Sequence, residues 1–158
     1  MPPAALIHEF LHNARVPYTV VPHRPAYSAQ EDAAAVHVPG RDWAKVVVCF
    51  VDGRPIQAVL PAPLTVDLER LAVLARGEAI RLAREHELRE LFPDCEEGAM
   101  PPFGPLYGQE VYVDVSLAGE PAILFSGGSH SEAIQMRWPD FVASVRPIVG
   151  SFGVRFND

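Results

Sequence analysis

Three short stretches carry residue types from which a reactive site can be built. Lys45 stands in Trp43-Ala-Lys-Val-Val-Val-Cys-Phe50, a lone cation at the head of a β-branched run. With at least one face of such a strand buried, its ammonium is costly to place unless it reaches water or an anion. On the pattern alone, a lysine that snorkels its head into solvent is the stronger reading, and a lysine aimed at a ligand the sharper one. Residues 98–108, GAMPPFGPLYG, alternate glycines with prolines. Glycine admits positive φ and close approach, proline fixes φ and removes a donor, so the loop should be irregular yet stiff. It either holds backbone N–H and C=O groups around a ligand or serves as a taut crossover, and the pattern weighs the two equally. Finally, Gly127, Gly128, Ser129 and His130 follow a strand. Two glycines there expose amides and bring forward a histidine able to donate a hydrogen bond, bind a carbonyl or move a proton, although a histidine in a surface turn is more often only solvated.

Other chemistries find little support. Ser129 and His130 are chain neighbours, which seldom turn their side chains toward each other, and no G-x-S-x-G elbow is present. His86, Glu87 and Glu90 lack the H-E-x-x-H spacing and read as a solvated helix face, while Asp94, Glu96 and Glu97 read as a solvated loop. Neither G-x-G-x-x-G nor G-x-x-x-x-G-K-[ST] occurs. Cys49 and Cys95 have no second C-x-x-C or H-x-x-x-H element to complete a zinc site, and are read as free thiols in a reducing compartment. The formal charge of −7 argues against a general nucleic-acid binder and against DNA, so any RNA contact should be local. No apolar run reaches the roughly 20 residues needed to cross a bilayer, and the start of the chain lacks a basic flank and apolar segment. A soluble, cytoplasmic protein with no membrane partner is expected.

The elements that must position these stretches follow from periodicity and punctuation. A helix is expected over residues 5–13 with Leu6, Ile7, Phe10 and Leu11 on one face, then a strand over 18–21. Ser28-Ala-Gln-Glu31 is a capping box opening a helix to His37, which Pro39-Gly40 stops. Strands 44–51 and 55–60 should form a hairpin about Asp52-Gly53 near the middle of the sheet. Asp67 should cap a helix to Ala75, followed by a short strand at 79–82, a helix over 85–92 and a long loop over 94–108. Strands 111–115 and 122–125 are expected to turn at Gly119-Glu120, with a flexible loop over 126–130, a strand over 132–137 and a helix over 139–145. No periodicity appears after Pro147. The fold class is α+β, one domain over residues 1–158, with a curled, largely antiparallel or mixed sheet and helices outside.

In order and spacing these pieces resemble the YbaK family and the insertion editing domain of bacterial prolyl-tRNA synthetases. The likeness runs through Ser28-Ala-Gln-Glu31, His37-Val-Pro-Gly40, Ala44-Lys45-Val-Val, Val59-Leu-Pro-Ala62, the stretch from Leu91 to Gly104, Leu106-Tyr-Gly108, Gly127-Gly-Ser-His130 and Asp140-Phe141. It implies a barrel-like sheet and an aminoacyl-tRNA deacylase that hydrolyses the ester of a small, wrongly attached amino acid. The resemblance places Lys45 at the phosphate or ribose of the terminal adenosine. Gly98 and Pro102 match the G-x-x-x-P loop around the scissile ester, and His130 matches a histidine near the aminoacyl group. It further implies substrate contacts from Ser28, Met100, Pro101, Phe103, Gly104, Gly127, Gly128 and Ser129. Ser28 stands where many relatives have threonine, and a core place suits Phe103 as well as a wall of the pocket. No metal or cofactor is implied: the ester is already activated, and the substrate's own 2′-hydroxyl is thought to orient the water. The implied partner is the tRNA acceptor end, with prolyl-tRNA synthetase or an elongation factor alongside a monomer. Two other classes stand beside this one, a non-catalytic module using the same pocket and a cysteine- or metal-dependent hydrolase.

Overall fold

In chain order, residues 5–155, those this computed structural model describes, form helices α1 (Ala5–Asn13), α2 (Ala29–Ala35), α3 (Leu68–Leu74), α4 (Glu85–Leu91) and α5 (Trp138–Val145). The strands are β1 (Thr19–Pro22), β2 (Ala44–Val51), β3 (Arg54–Pro61), β4 (Leu64–Val66), β5 (Ile80–Leu82), β6 (Glu110–Asp114), β7 (Ala122–Ser129), β8 (Glu132–Arg137), β9 (Ile148–Gly150) and β10 (Gly153–Arg155). The β-branched run around Lys45 forms β2, paired with β3 from Ala44 opposite Pro61 to Val51 opposite Arg54. Asp52 and Gly53 take φ of 49° and 84°, the left-handed pair that a tight hairpin of matching twist requires. The hairpin lies centrally in a sheet of order β5-β2-β3-β6-β9, as its apolar composition predicts.

That sheet is mixed: β3 pairs with β6, and β6 with β9, in parallel. A second, antiparallel sheet has the order β1-β8-β7, and β10 pairs with β4 as a ribbon. A single parallel bridge from Trp43 to Leu124 ties the head of β2 to β7. The α+β class therefore holds, but the expected barrel does not, because the sheets stay open. The five-stranded sheet is bounded by β5 and β9, three residues each, which offer too little ladder to close on another strand.

Two local expectations are also corrected. β6 and β7 do not form a hairpin; they lie in different sheets. The Asp114 carboxylate caps a 3₁₀ turn at Val115–Leu117, accepting from the Ser116 N–H, and turns the chain out of the plane of β6. The same buried carboxylate accepts from the N–H groups of Phe152 (3.0 Å) and Gly153 (2.7 Å). Burial alone would raise its pKa, but the Ser116 hydroxyl and then these backbone donors hold it below the usual aspartate value. The aperiodic tail thus becomes β9 and β10 through tertiary partners that local periodicity does not register.

The core beneath the site is aromatic. Phe103 is 1% exposed and lies 5.8 Å between ring centroids from both Phe125 and Phe141, and 5.9 Å from Phe10. The glycine–proline segment is therefore nailed to the core at one end. Phe103→Ala should cost about 3–5 kcal/mol in urea unfolding; a loss below about 1 kcal/mol would mean that the ring does not anchor the loop.

Candidate functional site

A cavity of about 150 Å³ opens where the head of β2, helix α2, the glycine–proline loop and β7 converge. β2 contributes Lys45 and Val46, the loop Gly98 and Met100, β7 Ser126, and α2 Asp32. Its walls are set by the elements' own logic. Ser28 starts α2 by accepting from the Glu31 N–H at 3.1 Å, and the helix then turns Asp32 inward on the same face as Ala29 and Val36.

Lys45 is half-buried, and its Nζ donates to the carbonyl of Ala62 at 3.0 Å. Burial lowers its pKa from the ordinary lysine value. One of three ammonium protons is thereby committed, leaving the others for an oxygen ligand. Asp32 is 6% exposed, and no hydrogen-bond partner among the described residues reaches its Oδ1. Burial pushes its carboxyl up to about 6, against the pull of His23 and His130 and with a smaller push from Glu31.

The loop is stapled to the end of β7. The N–H of Glu96 donates to the carbonyl of Gly128 at 2.7 Å, and His130 Nε2 donates to the carbonyl of Glu97 at 2.6 Å. Gly98 (φ 84°) and Gly128 (φ 99°) take the left-handed backbone these contacts need. Farther along, Gln57 Nε2 meets the carbonyl of Pro101 at 3.4 Å.

Of the residues singled out from the sequence, Lys45, Gly98 and Met100 meet in the cavity. His130 stands beside them, next to Gly98, its ring 4.8 Å from that of Tyr27. Ser28 acts as the exposed cap of α2. Pro101 faces Gln57 through its carbonyl, and Pro102, Phe103 and Gly104 form the buried part of the loop. Gly127, Gly128 and Ser129 belong to β7 itself, with a register shift between Ser126 and Ser129, so the expected flexible loop over 126–130 is an irregular strand end. Asp32, Ser126 and Trp43 were not picked out; the available signal for Asp32 is an acid on the apolar face of an alanine-rich helix. The thiol of Cys95 is pushed up to about 12, mainly by burial, which leaves it a poor nucleophile at neutral pH. Among the described residues, no helix is long and apolar enough to cross a membrane.

Open α+β sheets with a small cavity flanked by a lysine, a buried acid and a stapled glycine loop define the class, an α+β pocket domain. The aminoacyl-tRNA editing domain family matches residues 23–143, and the chain belongs to it. Among solved structures, a candidate trans-editing enzyme for prolyl-tRNA synthetase superposes with a TM-score of 0.83 at 22% identity, covering 98% of each chain. A hypothetical protein superposes with a TM-score of 0.84 at 19% identity, over 94% of this chain and 99% of that one. A candidate signal transduction protein from Marinobacter aquaeolei VT8 matches with a TM-score of 0.70 at 18% identity, over 94% of this chain but 30% of its own. No curated protein matches the sequence significantly.

The pKa of Asp32 has a consequence for stability. Between its unfolded value near 3.9 and its folded value of about 6, the folded state binds more protons, so stability falls as pH rises through this window, by about 2–3 kcal/mol. Asp32→Asn should remove that fall. Chemical denaturation at pH 4 and pH 7 should show the variant gaining on the wild type at the higher pH; an equal difference at both would contradict the assignment.

Proposed function

We propose that the protein is a trans-acting deacylase that removes a small, wrongly attached amino acid from tRNA, acting as one domain over residues 1–158. The observation that carries this reading is the cavity of about 150 Å³ bounded by Lys45 and the Gly98–Met100 end of the loop. A void of that size holds a benzene-sized group. An alanyl, seryl or cysteinyl moiety fits it; a large side chain does not.

In the proposed reaction the oxygen of a water adds to the ester carbonyl carbon. The bond from that carbon to the terminal ribose oxygen then breaks, one proton of the water passes to the ribose oxygen, the other is released to solvent, and the amino acid leaves as its carboxylate. Lys45 directs its free N–H groups to a ribose or phosphate oxygen. The loop fixes the ester, and the ribose 2′-hydroxyl orients the water. His130 has its Nε2–H committed to Glu97, so its part is to hold the loop edge and the rim rather than to act as an indispensable base. Tyr27, 72% exposed beside it, offers a face on which the terminal base can stack. A grip limited to this end is compatible with a chain of net charge −7, which could not hold a duplex by phosphate neutralisation. The likeness to a candidate trans-editing enzyme for prolyl-tRNA synthetase makes tRNA(Pro) the first substrate to try.

Incubation with alanyl-, seryl- and cysteinyl-tRNA(Pro) should release amino acid from at least one. Lys45→Ala should slow that release by about 100-fold or more, as loss of a preorganised charged donor does, and His130→Ala should slow it partially. Full activity in Lys45→Ala would refute the role of the lysine. No release from any substrate by the wild type would leave a binding module instead.

A further inference from the structure

We propose that Asp32 recognises the free α-ammonium group of the esterified amino acid, so that the cavity accepts an aminoacyl ester and rejects one without a charged amine. The proposal rests on the deacylase reading for the identity of the ester, and on the cavity itself for the amine.

Asp32 lines the cavity, is more than nine-tenths buried, and keeps an oxygen with no partner among the described residues. An unpaired buried carboxylate forfeits hydration and gains nothing in return, which native structures tolerate where a ligand supplies the missing donor. The neighbouring cation does not supply it: Lys45 lines the same cavity, but its Nζ bonds the Ala62 carbonyl and none of its protons reaches the unpaired oxygen. His23, just past β1, and His130, just past β7, act on Asp32 through space, and Glu31 opposes them from the helix itself; none is hydrogen-bonded to the free oxygen.

The donor that fits is small and cationic. In an aminoacyl ester the amine is one carbon from the carbonyl, so a cavity of about 150 Å³ that admits the side chain also admits the amine. A carboxylate on one wall and an ammonium on another match the two ends of such a substrate, its charged amine and its ribose or phosphate oxygens. A peptidyl or formylated ester carries a neutral amide in place of the amine, and would leave Asp32 desolvated and unpaired. Rejection of such esters is then electrostatic as well as steric, and an esterase built this way spares nascent chains.

The test uses stable amide analogues, 3′-deoxy-3′-(alanylamino)adenosine and the corresponding propionylamino compound, which lacks the amine and is smaller, so that crowding cannot explain its rejection. By titration calorimetry the wild type should bind the alanyl compound at least about tenfold more tightly, as expected for a hydrogen bond to a buried charge. In Asp32→Asn the two should bind within about twofold of each other, with the propionyl affinity retained. With alanyl-tRNA the same variant should raise KM more than it lowers kcat. Equal binding of the two compounds by the wild type overturns the proposal whether or not the variant folds, and so does a variant that loses both affinities in equal measure. An alanyl preference in a protein that hydrolyses no mischarged tRNA would uphold Asp32 and sink the deacylase reading; hydrolysis without that preference would do the reverse.

Discussion

The staple between the glycine–proline loop and the end of β7 is the constraint on which the site depends. Two backbone carbonyls, those of Gly128 and Glu97, accept from the Glu96 N–H and from His130. With the Phe103 ring sunk among Phe10, Phe125 and Phe141, the segment is fixed at both ends. A loop so held cannot collapse onto β2, and the space between them survives as a cavity. The glycines are needed where the staple demands left-handed backbone, and the prolines limit the freedom the glycines would otherwise bring.

Against that fixed frame the charged groups acquire their meaning. Lys45 is tethered by the carbonyl of Ala62, and Asp32 is buried with one oxygen free. Both are held in water-poor surroundings that shift their proton equilibria toward the neutral forms, so each gains from a ligand of opposite polarity. A cavity with two such walls discriminates by charge position as well as by size. That matters because one methylene in an apolar pocket separates substrates by only about 1–3 kcal/mol.

Much of this was legible in the residues, and the exceptions share a cause. The β2–β3 hairpin declared itself through Val46, Val47 and Val48 and through Asp52-Gly53, because strand propensity and turn chemistry are local. Ser28 and Asp67 marked helix starts for the same reason. β9 and β10 did not, since their partners are far away in sequence: β6 pairs with β9, and the carboxylate of Asp114 holds the start of β10. Gly119 promised a hairpin that the cap on the 3₁₀ turn at Val115–Leu117 overrides, and the barrel implied by resemblance is left open by edge strands of three residues. In the site, Lys45 and Gly98 stood out because a cation in an apolar strand and a glycine among prolines are conspicuous. Asp32 did not, because an acid in a short helix ordinarily faces water, and only the packing of α2 against the head of β2 turns it inward.

The central claim is that the esterified amino acid sits between Lys45, Asp32 and the stapled loop. A crystal structure with 3′-deoxy-3′-(alanylamino)adenosine addresses it most directly. The account requires the alanyl methyl against Met100 and Val46, the amine within hydrogen-bond distance of the Asp32 carboxylate, and the ribose toward Lys45 Nζ. Density for the alanyl group elsewhere, on the α1 surface around Leu6 and Phe10 for instance, with the cavity unchanged, would contradict it.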